Sequence, residues 1–146
     1  MPKELAYRER IWPAAWVFVA TALVIPASLL VFLPISLEAG VVVAVVLYGA
    51  IVVVLLVTTP VIEVTDEELR AGRALIERRF VGDVAPFDGP EATAERGPRL
   101  DARAWLLIRG WVSAVVRVEL TDPKDPTPYW LVSTRRPEEL ARALQN

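Results

Sequence analysis

The chain has 146 residues, a formal charge of −2, a hydrophobic content of 54% and a mean hydropathy of +0.41. It holds neither Cys nor His, which excludes zinc sites built on those residues, disulfides, thiol nucleophiles and a Ser-His-Asp triad. Residues 63–146 carry 13 Lys plus Arg against 15 Asp plus Glu, so that part has no basic excess with which to neutralise nucleic-acid phosphates.

Residues 1–10 read as a short leader whose charges include Lys3, Arg8 and Arg10. From Ile11 to Ile62 the single charge is Glu38. A helix needs about 20 residues to cross the hydrocarbon, and Ile11–Leu33 and Ala39–Thr59 supply 23 and 21. Pro34, Glu38 and Gly40 mark a tight turn between them. Trp12 and Trp16 stand where amphipathic rings anchor at headgroup depth. Pro26 removes a backbone donor mid-span and predicts a modest kink, with a neighbouring helix, a water or Ser28 compensating. The second span is nearly pure Val, Leu, Ile and Ala from Val41 through Val57. Two buried helices of a soluble protein would need more covering chain than the roughly 85 residues that remain. A cleaved signal peptide does not fit an apolar run followed at once by a second span. The basic leader against a loop bearing only Glu38 places both termini in the cytoplasm, with the acidic run Asp66-Glu67-Glu68 counting little.

Residues 60–146 read as a self-contained domain. Val61–Thr65 is a β-branched strand. Asp66–Glu68 turns the chain, and Leu69–Ala71 and Arg73–Ile76 read as strands about Gly72, although the composition of Glu67–Arg79 also suits a helix. Phe80–Phe87 is a short apolar segment, and Asp88–Pro98 reads as a surface loop. Ala104–Ile108 and Trp111 restore apolar density. Val116, Val118 and Leu120 alternate with Arg117 and Glu119 as a strand with one wet face. A connector with prolines at Pro123, Pro126 and Pro128 leads to the partner strand Tyr129–Ser133. A terminal helix over about 137–144 opens on Pro137, Glu138 and Glu139 and is anchored by Leu140 and Leu144, with Ser133 or Thr134 as a cap. The fold class is thus a membrane α-helical hairpin followed by a small, mainly antiparallel β domain, a barrel or sheet closed by a C-terminal helix.

Three stretches resemble the DUF3093 family of actinobacterial two-span membrane proteins. They are Tyr7–Pro13, Val64-Thr65-Asp66 with Gly72-Arg73-Ala74 and Val81-Gly82, and above all Leu120–Pro137. The resemblance implies two transmembrane helices, a cytoplasmic domain and an inner-membrane location, and it carries over no activity. The soluble part is also distantly similar to bacterial pleckstrin-homology-like domains, an analogy of fold alone.

Candidate sites are few. Asp122 and Asp125 on the stiff connector would hold a cation or catch a basic partner; the plainer reading is a hairpin connection whose Asp side chains cap turns. Arg135, Arg136 and Arg142 form a basic cluster near the last helix that would meet anionic headgroups, or simply a solvated surface beside Glu138 and Glu139. Arg78-Arg79 is a weaker basic patch, and Trp105, Trp111 and Trp130 read as core. No catalytic, cofactor-binding or metal residue is assigned, and the chain is not read as an enzyme. The expectation is a membrane-anchored interaction or scaffold protein whose domain binds a protein partner or the inner leaflet. The alternatives are an accessory subunit of a larger complex, with homo-oligomerisation open, and, less favoured, an enzyme.

Overall fold

The computed structural model describes residues 3–146, which fall into two compact units. One is the apolar segment Trp12–Thr59; the other joins the residues up to Ile11 with Pro60–Asn146. The leader is therefore not a mere flank. Leu5–Arg10 forms strand β1, antiparallel to β2 (Val61–Thr65), with Arg10 opposite Val61 and Tyr7 opposite Val64. The signal was present in the residues: Tyr7, Glu9 and Ile11 are buried while Ala6, Arg8 and Arg10 are exposed, the period-two alternation of a strand.

Beyond β2, strands β3 (Glu68–Ala71) and β4 (Ala74–Glu77) complete a sheet of order β1-β2-β3-β4. The β3–β4 hairpin turns on Gly72 and Arg73. Gly72 has φ +61°, a left-handed conformation at the first turn position that suits a two-residue hairpin and favours glycine. The strand reading of this region holds over the helical one. A second sheet has the order β5-β7-β8-β6, formed by β5 (Val81–Phe87), β6 (Trp105–Leu107), β7 (Val115–Leu120) and β8 (Tyr129–Ser133). Its pairings are antiparallel except β6 with β8, which is parallel.

Asp88–Pro98 is not simply a loop, because it contains helix α4 (Gly89–Arg96). Its Gly and Pro stand at the start, where they are tolerated: the Asp88 carboxylate accepts from Gly89 N at 2.7 Å, and Pro90 lies in the first turn. Ala92 is its buried apolar anchor, too small to write a helical pattern into the sequence. α4 also corrects the expectation of a wet face on β7, since Ala92, Val115 and Leu131 form a small second core. The main core draws Tyr7, Ile11, Ile62, Val64 and Leu69 from the first sheet and Val116, Val118, Trp130 and Val132 from the second. Helix α5 (Pro137–Gln145) adds Leu140 and Leu144 and packs against β1, β2, β5 and β7.

In the apolar unit, α1 (Ala15–Thr21) and α2 (Val24–Phe32) together, and α3 (Leu37–Val57), are long and apolar enough to cross a membrane. The break at Ala22-Leu23 lies one turn before Pro26. The Pro26 ring lacks the N–H that would reach the Ala22 carbonyl and crowds it, and Ile25 N occupies that carbonyl instead at 3.0 Å. α3 starts earlier than the sequence suggested: Ser36 Oγ accepts from Ala39 N at 3.3 Å, and Glu38 sits in the positive first turn. Gly40 permits a close approach of α2, where an added Cβ would stand 3.3 Å from Phe32 Cβ.

This architecture predicts that residues 60–146 alone do not fold. Without β1 the domain loses Tyr7 and Ile11 from its core, at roughly 1.5–3 kcal/mol for each buried side chain, and exposes the edge of β2. Joining Ile11 to Pro60 by a short Gly-Ser turn in place of residues 12–59 is expected to restore a soluble, cooperatively melting domain. Thermal denaturation followed by circular dichroism compares the two chains.

Candidate interaction surface

The buried polar chemistry of the β domain gathers where β1 meets the corner between β8 and α5. Glu9 is 7% exposed and its carboxylate is closely enclosed. Tyr7 OH donates to Oε2 at 2.8 Å, Thr134 Oγ1 donates to the same oxygen at 2.5 Å, and Arg135 N donates to Oε1 at 2.9 Å. Thr134, itself fully buried, also accepts from Arg136 N at 3.1 Å, so neither it nor Ser133 caps α5. Ser133 Oγ instead accepts from Arg109 N at 3.0 Å. The Arg136 guanidinium lies 4.8 Å from the Tyr7 ring centroid, donates to the Arg8 carbonyl at 2.9 Å and pairs with Glu139 at 3.1 Å. Burial, aided by the hydrogen bond to Glu9 and opposed by the one with Thr134, raises the pKa of the Tyr7 hydroxyl above the ordinary phenol range.

The expected basic cluster is therefore divided. Arg136 braces β1, and Arg135 hangs by its amide from Glu9. Arg142 lies further along α5, lining a shallow groove of about 440 Å³ together with Glu4, Asp66, Arg78 and Glu139, a mixed-charge lining with no preference for anions. Arg78 and Arg79 have local roles too. Arg78 donates to the carbonyls of Thr65 (2.9 Å), Leu144 (3.0 Å) and Asn146 (2.9 Å), tying the end of β2 to the end of α5. Arg79 pairs with Glu77 at 2.6 Å and lies over Phe80.

Asp122 and Asp125 act as turn residues. Asp122 Oδ1 accepts from Lys124 N and Asp125 Oδ1 from Thr127 N, each at 2.9 Å. The Thr127 amide hydrogen bond is the main reason that the Asp125 carboxyl titrates below its usual range. Among the described residues no three carboxylates converge as a metal site would require. Trp105 and Trp130 meet at 4.6 Å between ring centroids, on the main core.

Sequence reasoning missed Tyr7 and Glu9, although the alternation in the leader could have found them. It also missed Glu95, 2% exposed, which pairs with Arg117 at 3.2 Å and Arg99 at 3.6 Å beneath α4. The i,i+4 spacing of Glu95 and Arg99 is a local signal, whereas nothing in the spacing announces the pairing with Arg117.

Replacing Glu9 by Ala removes the acceptor of three donors and is expected to cost about 3 kcal/mol of stability. Tyr7→Phe, which leaves the ring under Arg136, is expected to cost about 1 kcal/mol. The unfolded phenol loses its proton near pH 10, whereas the folded one holds it to higher pH. The Tyr7 contribution is therefore intact below about pH 10 and declines above it, and Tyr7→Phe removes that decline. Urea titrations at neutral and alkaline pH measure both effects.

The segments that meet at Glu9 are those that carried the family resemblance, Tyr7–Pro13 and the end of Leu120–Pro137. No curated protein and no solved structure matches the chain. A family model described as a protein of unknown function does match, over residues 6–144, and the chain belongs to that family, DUF3093.

Proposed function

We propose that this chain is a membrane-anchored interaction or scaffold protein of the inner membrane, with both termini cytoplasmic and its β domain presented to a protein partner at the bilayer surface. The observation that carries the reading is the pairing of β1 with β2. Arg10 stands opposite Val61, and Ile11 N donates to the Pro60 carbonyl at 3.0 Å, so the two ends of the apolar segment leave the domain side by side. A chain tied in this way returns to the side from which it started, and two apolar helices supply the two crossings needed. Lys3, Arg8 and Arg10 against the lone Glu38 of the connecting turn favour the cytoplasm for that side.

Only Trp12–Ala14 precede α1, and only Thr58–Thr59 separate α3 from Pro60. Such short connectors keep the domain at the membrane and raise its effective concentration for partners there. The two four-stranded sheets and α5, which packs on strands of both, support a pleckstrin-homology-like arrangement. The buried polar groups join one element to another, which supports binding rather than catalysis. The accessory-subunit reading draws its support from an apolar groove of about 360 Å³ on the helical unit, lined by Ile25, Leu29, Ala44, Val45 and Tyr48.

Crosslinking in native membranes, followed by co-purification of the full chain, tests the proposal. A protein recovered in stoichiometric amount with the full chain, and lost when the β domain is removed, is the expected result. Retention of that protein by the helices alone would favour the accessory subunit. Recovery of the full chain without any stoichiometric protein would overturn both.

A further inference from the structure

The strand register sorts the charges of the first sheet along its length. Starting where the chain passes to and from residues 12–59, the rows run Arg10–Val61, then Glu9–Ile62–Ala71–Ala74, then Arg8–Glu63–Arg70–Leu75. The Gly72-Arg73 hairpin tip belongs to this same end, because Gly72 N donates to the Val61 carbonyl at 2.9 Å. Arg10 and Arg73 are exposed there. Arg135, also exposed, is brought to the same end by the bond from its amide to Glu9. The carboxylate of these first two rows is Glu9, which points inward and is enclosed by Tyr7 and Thr134.

The opposite end is acidic. Asp66 and Glu67 form the β2–β3 turn, and Glu68 faces Glu77 across β3 and β4. Lys3 partly offsets them, at 3.0 Å from Glu68 and 3.3 Å from Glu67. Five residues of strand separate Val61 from Asp66, about 17 Å at 3.3 Å per residue. That is roughly twice the screening length of about 8 Å at physiological salt. An anionic surface at the first row therefore feels little of Asp66–Glu68, although they follow the apolar segment so closely in sequence, and the nearer Glu63 is paired with Arg8 at 3.3 Å.

We propose that this end of the sheet, with Arg10, Arg73 and Arg135, is a seat for anionic phospholipid headgroups. The inference rests on the anchored reading above. Three extended residues reach about 10 Å, so the connectors hold the arginine end at headgroup depth whenever the helices are in the bilayer. It also divides the cluster expected from sequence: Arg135 stands at this end by its amide bond to Glu9, whereas Arg136 lies over Tyr7 and Arg142 near the acidic turn.

The chain has no Cys, so a single introduced thiol takes a spin label at one place. The full chain, labelled at Leu75→Cys or Glu67→Cys, is reconstituted in nanodiscs of zwitterionic or phosphatidylglycerol-rich lipid carrying a sparse nickel-chelating headgroup. Relaxation by nickel is expected to be stronger at position 75 than at 67, and to rise at 75 in the anionic discs. Arg10→Gln, Arg73→Gln and Arg135→Gln are each expected to reduce the docked population about fivefold. Arg73→Gln, at a hairpin tip, serves as the variant least exposed to misfolding. Equal or stronger relaxation at 67, or no response at 75 to anionic lipid, would overturn the headgroup seat and leave the anchoring intact. Failure of the chain to enter the discs would overturn the anchoring, and this inference with it.

Discussion

The fold depends on one strand pair formed across a long apolar insertion. β1 and β2 are neighbours in the sheet, yet residues 12–59 lie between them. Closing a flexible loop of that length costs roughly 3 kcal/mol or more in chain entropy, a large fraction of what a small domain has to spare. The apolar segment removes most of that cost by not being flexible. α2 and α3 pack as a hairpin about the Ser36-capped turn, so its two ends already point the same way. The helices thus act as the connection of a β-hairpin, and the sheet in turn requires the helices to begin and end on one side.

A strand recruited from so far away in sequence needs more than ladder hydrogen bonds to hold its register, and the buried polar groups provide it. Glu9 is bonded from its own strand by Tyr7 and from the β8–α5 corner by Thr134 and Arg135. Arg136 then reaches back over Tyr7 to the Arg8 carbonyl. A slip of β1 by one residue would turn Glu9 outward and bury Arg8 or Arg10 without partners. The cluster therefore selects one pairing.

How much of this the sequence discloses follows from the strength of each local signal. The two apolar spans, the strands about Gly72, the alternation of β7 and the Leu140–Leu144 helix are periodic or compositional features that any context would preserve. β1 was hidden because its Arg8 and Arg10 also satisfy the description of a basic membrane flank, and that description uses the same residues. α4 was hidden because Gly89 and Pro90 look like breakers until their place at the N-terminus is known. The arginines at 135, 136 and 142 are close in sequence, but α5 runs away from the corner at which it starts, so their guanidiniums serve different neighbours. Partnerships between segments more than a hundred residues apart leave no spacing to read.

The helix interruption at Ala22-Leu23 would in many membrane proteins suggest a binding site, since broken helices expose backbone groups to ligands. Here the Ala22 carbonyl, which Pro26 leaves without its usual donor, accepts from Ile25 N at 3.0 Å. The Phe18 carbonyl accepts from Ala22 N at 3.0 Å and from the Tyr48 hydroxyl of α3 at 3.1 Å, and Thr21 Oγ1 donates to the Val17 carbonyl at 2.8 Å. Thr21 and Tyr48, two of the few polar side chains in the segment, thus add second hydrogen bonds to carbonyls beside the break. No charged residue lies between Ile11 and Leu37. The segment is bracketed in the chain by the two strands of the first pair, β1 ending at Arg10 and β2 beginning at Val61, which stand opposite one another.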